Sequence, residues 1–164
     1  MFEIKSRGEN INQMFNIAVN NNLSEEECRT FFDAVLNLSA RQWADKVCYA
    51  NTQEFMLYSN MSDELIYVEG HVQIMNGFIA IPHSWLEWNG KVLDLTLGYH
   101  DMVDPNNYTP YFRADNERAQ SVIRKAIEEN SSYNAVVHNL DLLTEEERDF
   151  LFSQLPLRNE KVSI

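Results

Sequence analysis

Ser84-Trp85-Leu86-Glu87-Trp88-Asn89-Gly90-Lys91-Val92-Leu93-Asp94-Leu95-Thr96 reads as two strands joined by a two-residue turn. Both central positions of a type I′ turn need φ > 0, and Asn followed by Gly tolerates this best. The turn fixes the register: Trp88 faces Lys91, Glu87 faces Val92, Trp85 faces Asp94 and His83 faces Thr96. His83, Trp85, Asp94 and Thr96 then share one side of the hairpin. Diagonal cross-strand positions lie about 7–8 Å apart, a gap that an imidazole and a carboxylate close with a hydrogen bond. An Asp94 carboxylate on one ring nitrogen of His83 fixes the tautomer and leaves the other nitrogen to act as a base.

A base of this kind calls for a nucleophile, and the chain has two cysteines, Cys28 and Cys48. Cys48 falls at the start of a helix expected to begin around Val47 or Cys48 and to run to about Tyr58, where unpaired N–H groups and the helix dipole favour a thiolate. Cys28 is expected in the middle of a helix among Glu25, Glu26, Glu27 and Asp33, which disfavour one. Acyl transfer also needs donors for the developing oxyanion. The Cys48 amide is one. Gln42, six residues upstream, and Asn51, one turn downstream on the same helix face, are further candidates for stabilising the oxyanion or orienting substrate. Trp85 on the site face and Glu69 in the strand before it are candidate pocket residues. Each also has a plainer reading: Cys48 as a small buried hydrophobe, His83 bonded to a backbone carbonyl, Trp85 and Trp88 as core and surface packing, Glu69 as a half-buried structural carboxylate beside Leu65 and Tyr67.

Outward from the hairpin, Ile11, Met14, Phe15, Ala18 and Val19 predict a helix over 9–22, and Ser24-Glu25-Glu26-Glu27 is a capping-box start for a second helix to about Leu38. In the third helix Phe55 and Tyr58 or Met56 are available to pack inward. Glu64 to Gln73, Phe78 to Ile81, Ser84 to Trp88 and Lys91 to Leu97 predict three or four antiparallel strands. Residues 98–115, with Asp104-Pro105-Asn106-Asn107 as a turn, read as irregular, a surface loop or a lid. Helices are expected over Asp115 to Glu129 and from Thr144 to about Leu155. This is an α+β layout, a helical N-terminal part on a central antiparallel sheet followed by C-terminal helices. We read residues 1–164 as one domain, with the core that carries the site at about 40–97 and a C-terminal helical part at about 115–156.

The 164 residues suit one hydrophobic core, and 45% hydrophobic with 12% aromatic content suits a folded chain. Thirteen Lys and Arg against twenty-five Asp and Glu give a net charge of −12. Such a field repels phosphate backbones and anionic lipid, so neither nucleic acid nor membrane is an expected partner, unless the acidic surface itself imitates DNA. Signal-like and membrane-spanning runs are absent, and two cysteines in a chain that needs no staple fit a reducing, cytoplasmic setting. His71, His100 and His138 lack the paired spacing of a zinc site, so no metal or cofactor is expected, the alternative being Cys48, His83 and Asp94 as metal ligands.

Cys48-Tyr49-Ala50-Asn51, Tyr67-Val68-Glu69-Gly70, Pro82-His83-Ser84-Trp85 and Gly90-Lys91-Val92-Leu93-Asp94-Leu95-Thr96 together resemble a pattern of small phage and bacterial proteins. That pattern is a Cys-aromatic-x-Asn helix start, a YVEG strand, an HAW-like strand and a GxVxDxT strand. The group is similar to the transglutaminase-like and papain-like cysteine hydrolases. Ser84 stands where Ala is usual and Leu95 where Pro is usual; neither removes a reactive group. The resemblance covers about residues 48–96. It implies a papain-like or transglutaminase-like core with Cys48 as nucleophile, His83 as base and Asp94 as orienting group, acting on an amide or ester of a protein or peptide-like substrate in the producing or phage-infected cell. The alternative is an inactive acidic module on the same fold that binds a basic partner protein, such as a phage-encoded inhibitor of a host protein.

Overall fold

A computed structural model describes residues 7–38 and 47–155. Gln42 lies outside the described residues. The chain runs α1 (Arg7–Asn20), α2 (Glu25–Asn37), α3 (Cys48–Tyr58), β1 (Leu65–Ile74), β2 (Ile79–Trp88), β3 (Lys91–Leu93), β4 (Tyr108–Ala114), α4 (Asn116–Asn130) and α5 (Glu145–Gln154). Its antiparallel sheet has the order β3-β2-β1-β4. The architecture is α+β, with five α-helices and one four-stranded sheet among the described residues. None of the described helices is long and apolar enough to cross a membrane.

The helices begin where the sequence provides caps. Ser24 and Thr144 each form a full capping box with Glu27 and Glu147, and Asp115 accepts the Arg118 amide at the head of α4. Glu27 does more than cap: its carboxylate also takes Lys91 Nζ at 2.5 Å and Asn89 Nδ2 at 3.0 Å, so α2 clasps the β2–β3 turn. Asn89 and Gly90 have φ of 51° and 74°, and Trp88↔Lys91, Glu87↔Val92 and Leu86↔Leu93 are paired as the turn chemistry requires.

Strand parity divides the sheet into two faces. Leu65, Tyr67, Leu86, Trp88, Leu93, Phe112 and Ala114 lie in one core with Phe31, Phe55, Met56, Val122 and Ile123 from the helices. Trp88 is therefore core rather than surface, and of the two alternatives for the inward position of α3 it is Met56 that is buried, while Tyr58 is exposed. The opposite face carries Val68, His83 and Trp85, all buried. There the absence of a side chain at Gly70 is required: a Cβ would collide with Thr109 O, the Trp85 ring and Pro110 Cα. Gly70→Ala is expected to destabilise the fold by about 1–3 kcal/mol, measured by urea unfolding, because two of these three neighbours are backbone.

Four expectations need correction. The strands expected at 78–81 and 84–88 are one, β2, running through Pro82. Lys91 to Leu97 is a strand only to Leu93, after which Asp94 turns the chain into a 3-10 turn at Leu97–Tyr99. Residues 98–115 are not wholly irregular, since β4 pairs with β1 over Tyr67–Val72 with a register shift between Glu69 and Gly70. Finally, Cys28 is the fourth residue of α2 rather than central in it.

Candidate active site

Asp94 leaves β3 and folds its carboxylate back on the chain. Oδ1 accepts the amides of Thr96 and Leu97, both at 2.9 Å, while Oδ2 accepts His83 Nε2 at 2.7 Å and the Tyr108 hydroxyl at 2.7 Å. The backbone of Asp94 is held as well. Asn21, at the end of α1, accepts the Asp94 amide at 2.8 Å and donates to its carbonyl at 3.2 Å. Asp94 is fully buried and His83 is 2% exposed, so the pair is shielded from solvent. Burial works against the Asp94 charge, but the His83, Tyr108 and Thr96 donors overcome it and hold the carboxyl below its ordinary value.

With Nε2 on Asp94, the remaining ring nitrogen of His83 is Nδ1. The imidazole stacks on Trp85, with centroids 6.3 Å apart and planes at 19°, and Tyr108 meets Trp85 edge-on at 5.0 Å. This packing fixes the ring plane. The Cys48 sulfur is the next group that acts on the His83 charge, after Asp94. Burial pulls the imidazole pKa down, yet the bond to Asp94, its charge and the Cys48 sulfur together raise it to about 9. His83 therefore holds its proton more tightly than a free imidazole, with Asp94 as the main cause.

α3 brings the thiol there because β3 is short. Beyond Leu86 the edge of β2 has no strand partner on the β3 side among the described residues. In that gap Thr52 Oγ1 donates to Ser84 O at 3.2 Å, docking the first turn and a half of α3 against β2. Asn51, 1% exposed, donates to Thr96 Oγ1 at 3.0 Å and ties the same helix to the segment after Asp94. The first intrahelical bond of α3 is Asn51 N to Val47 O at 3.0 Å, so the Cys48 amide takes no part in the helical ladder. Both cysteines are free thiols and partly exposed.

Cys48, His83, Asp94 and Trp85 thus come together. Glu69 does not join them: it is fully buried on the core face, where it accepts the Tyr67 hydroxyl, the Val136 amide at 2.8 Å and the Val137 amide at 2.9 Å. Tyr108 and Asn21 are the two members that the sequence reading missed. Tyr108 lies in the stretch read as irregular, although its Tyr-Thr-Pro-Tyr-Phe run carries strand-forming residues. Nothing local marks Asn21. Among the described residues no group of three or more His, Cys, Asp or Glu side chains is arranged to hold a metal ion. Comparisons of the chain with protein-family models, curated proteins and solved structures find no match.

Proposed function

We propose that the protein is a cysteine-dependent hydrolase or acyltransferase acting on an amide or ester through Cys48, His83 and Asp94. The observation that carries this reading is one buried imidazole with Asp94 on Nε2 and, at the head of α3, a cysteine near enough to raise its pKa. In the reaction the Cys48 sulfur, its proton held by His83, adds to the carbonyl carbon, and the negative charge moves to the carbonyl oxygen near the Cys48 amide. The tetrahedral intermediate then collapses: the bond to the leaving amine or alcohol breaks, and His83 gives that group its proton. Water or an amine attacks the thioester next, passing a proton to the neutral His83, and the acyl group departs as an acid or a new amide. Throughout, Asp94 holds the ring. The transglutaminase-like or papain-like architecture suggested by the sequence pattern belongs to this same reading.

The test is alkylation by iodoacetamide, followed by peptide mass against pH for Cys48 and, as internal control, Cys28. We expect Cys48 to be alkylated faster than Cys28 at pH 7, and His83→Ala to remove that advantage. A Cys48 that reacts no faster than Cys28 in either protein contradicts the enzyme reading and favours an inactive module that engages a basic partner.

A further inference from the structure

The gap that admits α3 leaves more of β2 uncovered. β2 is paired to β1 along its whole length, but β3 covers only Leu86–Trp88. Because Trp88 and Lys91 flank a two-residue turn, Trp88 and Leu86 direct their backbone groups toward β3, and by the strand period Ser84, Pro82 and Ala80 direct theirs to the same side. Ser84 O is satisfied by Thr52. Among the described residues, no strand lies beside Ala80 N–H, Ala80 C=O or Pro82 C=O. Ile79, Ala80 and Pro82 are exposed, as are Met75 and Phe78 at the hairpin tip, the latter 88%.

Such an edge normally carries charge or proline, or is covered, and Pro82 is the one such device in this stretch. Here residues 70–86 contain no Asp, Glu, Lys or Arg, although 23% of the chain is charged. The edge is also closed at one end only. It is open toward the tip and stops against the first turns of α3, where Cys48 sits, three residues from Ala80 to His83 or about 10 Å at the strand rise.

We propose that Ile79–Pro82 binds an extended, apolar segment of a polypeptide substrate as an added strand and leads it to Cys48. This specifies the substrate of the reaction proposed above and rests on that reading for the chemistry. One donor and two acceptors at strand spacing suit another peptide backbone, and the uncharged flanks suit apolar side chains that would meet no repulsion from the acidic surface. Pro82 lacks an N–H, so the pairing relies on both groups of Ala80.

The test separates docking from chemistry. Docking is read by fluorescence anisotropy with a fluorescein-labelled hexapeptide of alternating valine and threonine, and with twins N-methylated at one or the other set of alternate residues. We expect wild type to bind the parent peptide, one N-methylated twin to bind at least tenfold more weakly than the other, and Ala80→Pro to lose at least tenfold. Ile79→Lys, which keeps the backbone groups, is expected to weaken binding less than Ala80→Pro. Absence of binding, equal binding of both twins, or an Ala80→Pro protein that binds like wild type each overturns the proposal. So does light scattering that finds a wild-type dimer dispersed by Ala80→Pro and untouched by the peptide, which makes the edge a contact between two copies of the chain. The chemistry is read separately by iodoacetamide at Cys48: normal alkylation with no peptide binding sinks the edge alone, and peptide binding with an inert Cys48 sinks the enzyme alone.

Discussion

Asp94→Asn is expected to slow alkylation of Cys48 at pH 7 by roughly 10²-fold while the protein stays folded, on the scale of losing a positioned base. The reason is donor arithmetic. Both Asp94 oxygens are acceptors, Oδ1 for the Thr96 and Leu97 amides and Oδ2 for His83 and Tyr108. An asparagine has one acceptor. If it keeps the two amides, its NH₂ faces His83 Nε2, and the ring must place its proton on Nδ1, toward the thiol. The imidazolium that Asp94 favours, with its pKa raised to about 9, then has no anion behind it. Mass-resolved alkylation of the variant checks this. A rate equal to wild type would mean that Asp94 positions the chain and not the imidazole. Asp94→Ala is the harsher change, since it strips the partner from four donors in a buried site, and about 3–5 kcal/mol of lost stability is expected.

Glu69→Gln is expected to flatten the dependence of stability on pH. Burial lifts the Glu69 carboxyl from 4.5 to about 7, against the Tyr67 hydroxyl and the Val137 and Val136 amides, which lower it. A carboxyl whose pKa is raised in the folded state binds its proton more tightly there than in the unfolded chain. Its contribution is most favourable below about 4.5 and is lost as pH rises through about 7. At 1.36 kcal/mol per unit, that loss approaches about 3 kcal/mol between pH 4 and 8. His83 acts in the same direction at higher pH, its share being lost as pH rises from 6.5 toward about 9. Urea titrations at pH 5 and 8 should therefore show wild type less stable at the higher pH and the Gln variant with most of the difference below pH 7 removed. An unchanged difference would place its origin in another group. Glu69→Ala, by contrast, removes the acceptor from the Tyr67 hydroxyl proton and from the Val136 and Val137 amides, and should cost about 3–5 kcal/mol throughout.

The sequence was most informative where chain chemistry is local. Asn89-Gly90 set the pairing of Trp88 with Lys91 and Glu87 with Val92, and the Ser24 and Thr144 boxes marked two helix starts. Extending the hairpin to Asp94 overreached, because the ladder ends at Leu93. The imidazole and carboxylate meet nonetheless, since Asp94 turns inward to cap Thr96 and Leu97. β2 looked like two strands because proline breaks ladders, and it escapes the rule because Pro82 points its nitrogen to the side where no strand pairs. β4 hid behind Pro105 and Pro110: Pro110 sits opposite Gly70 at the register shift, so the strand is defined by its partner and not by its own pattern. Asn21 was out of reach for the same reason, as its role depends on a contact 73 residues away.

The bonds that hold Asp94 come from α1, from its own turn and from β4. During synthesis, therefore, a chain that has already emerged with Cys48, His83 and Asp94 still lacks the Tyr108 hydroxyl and the strand that carries it. On the proposed reading, a nascent chain that holds only the β1–β2–β3 meander carries an incomplete site, since Asp94 lacks one of its donors until β4 docks on β1.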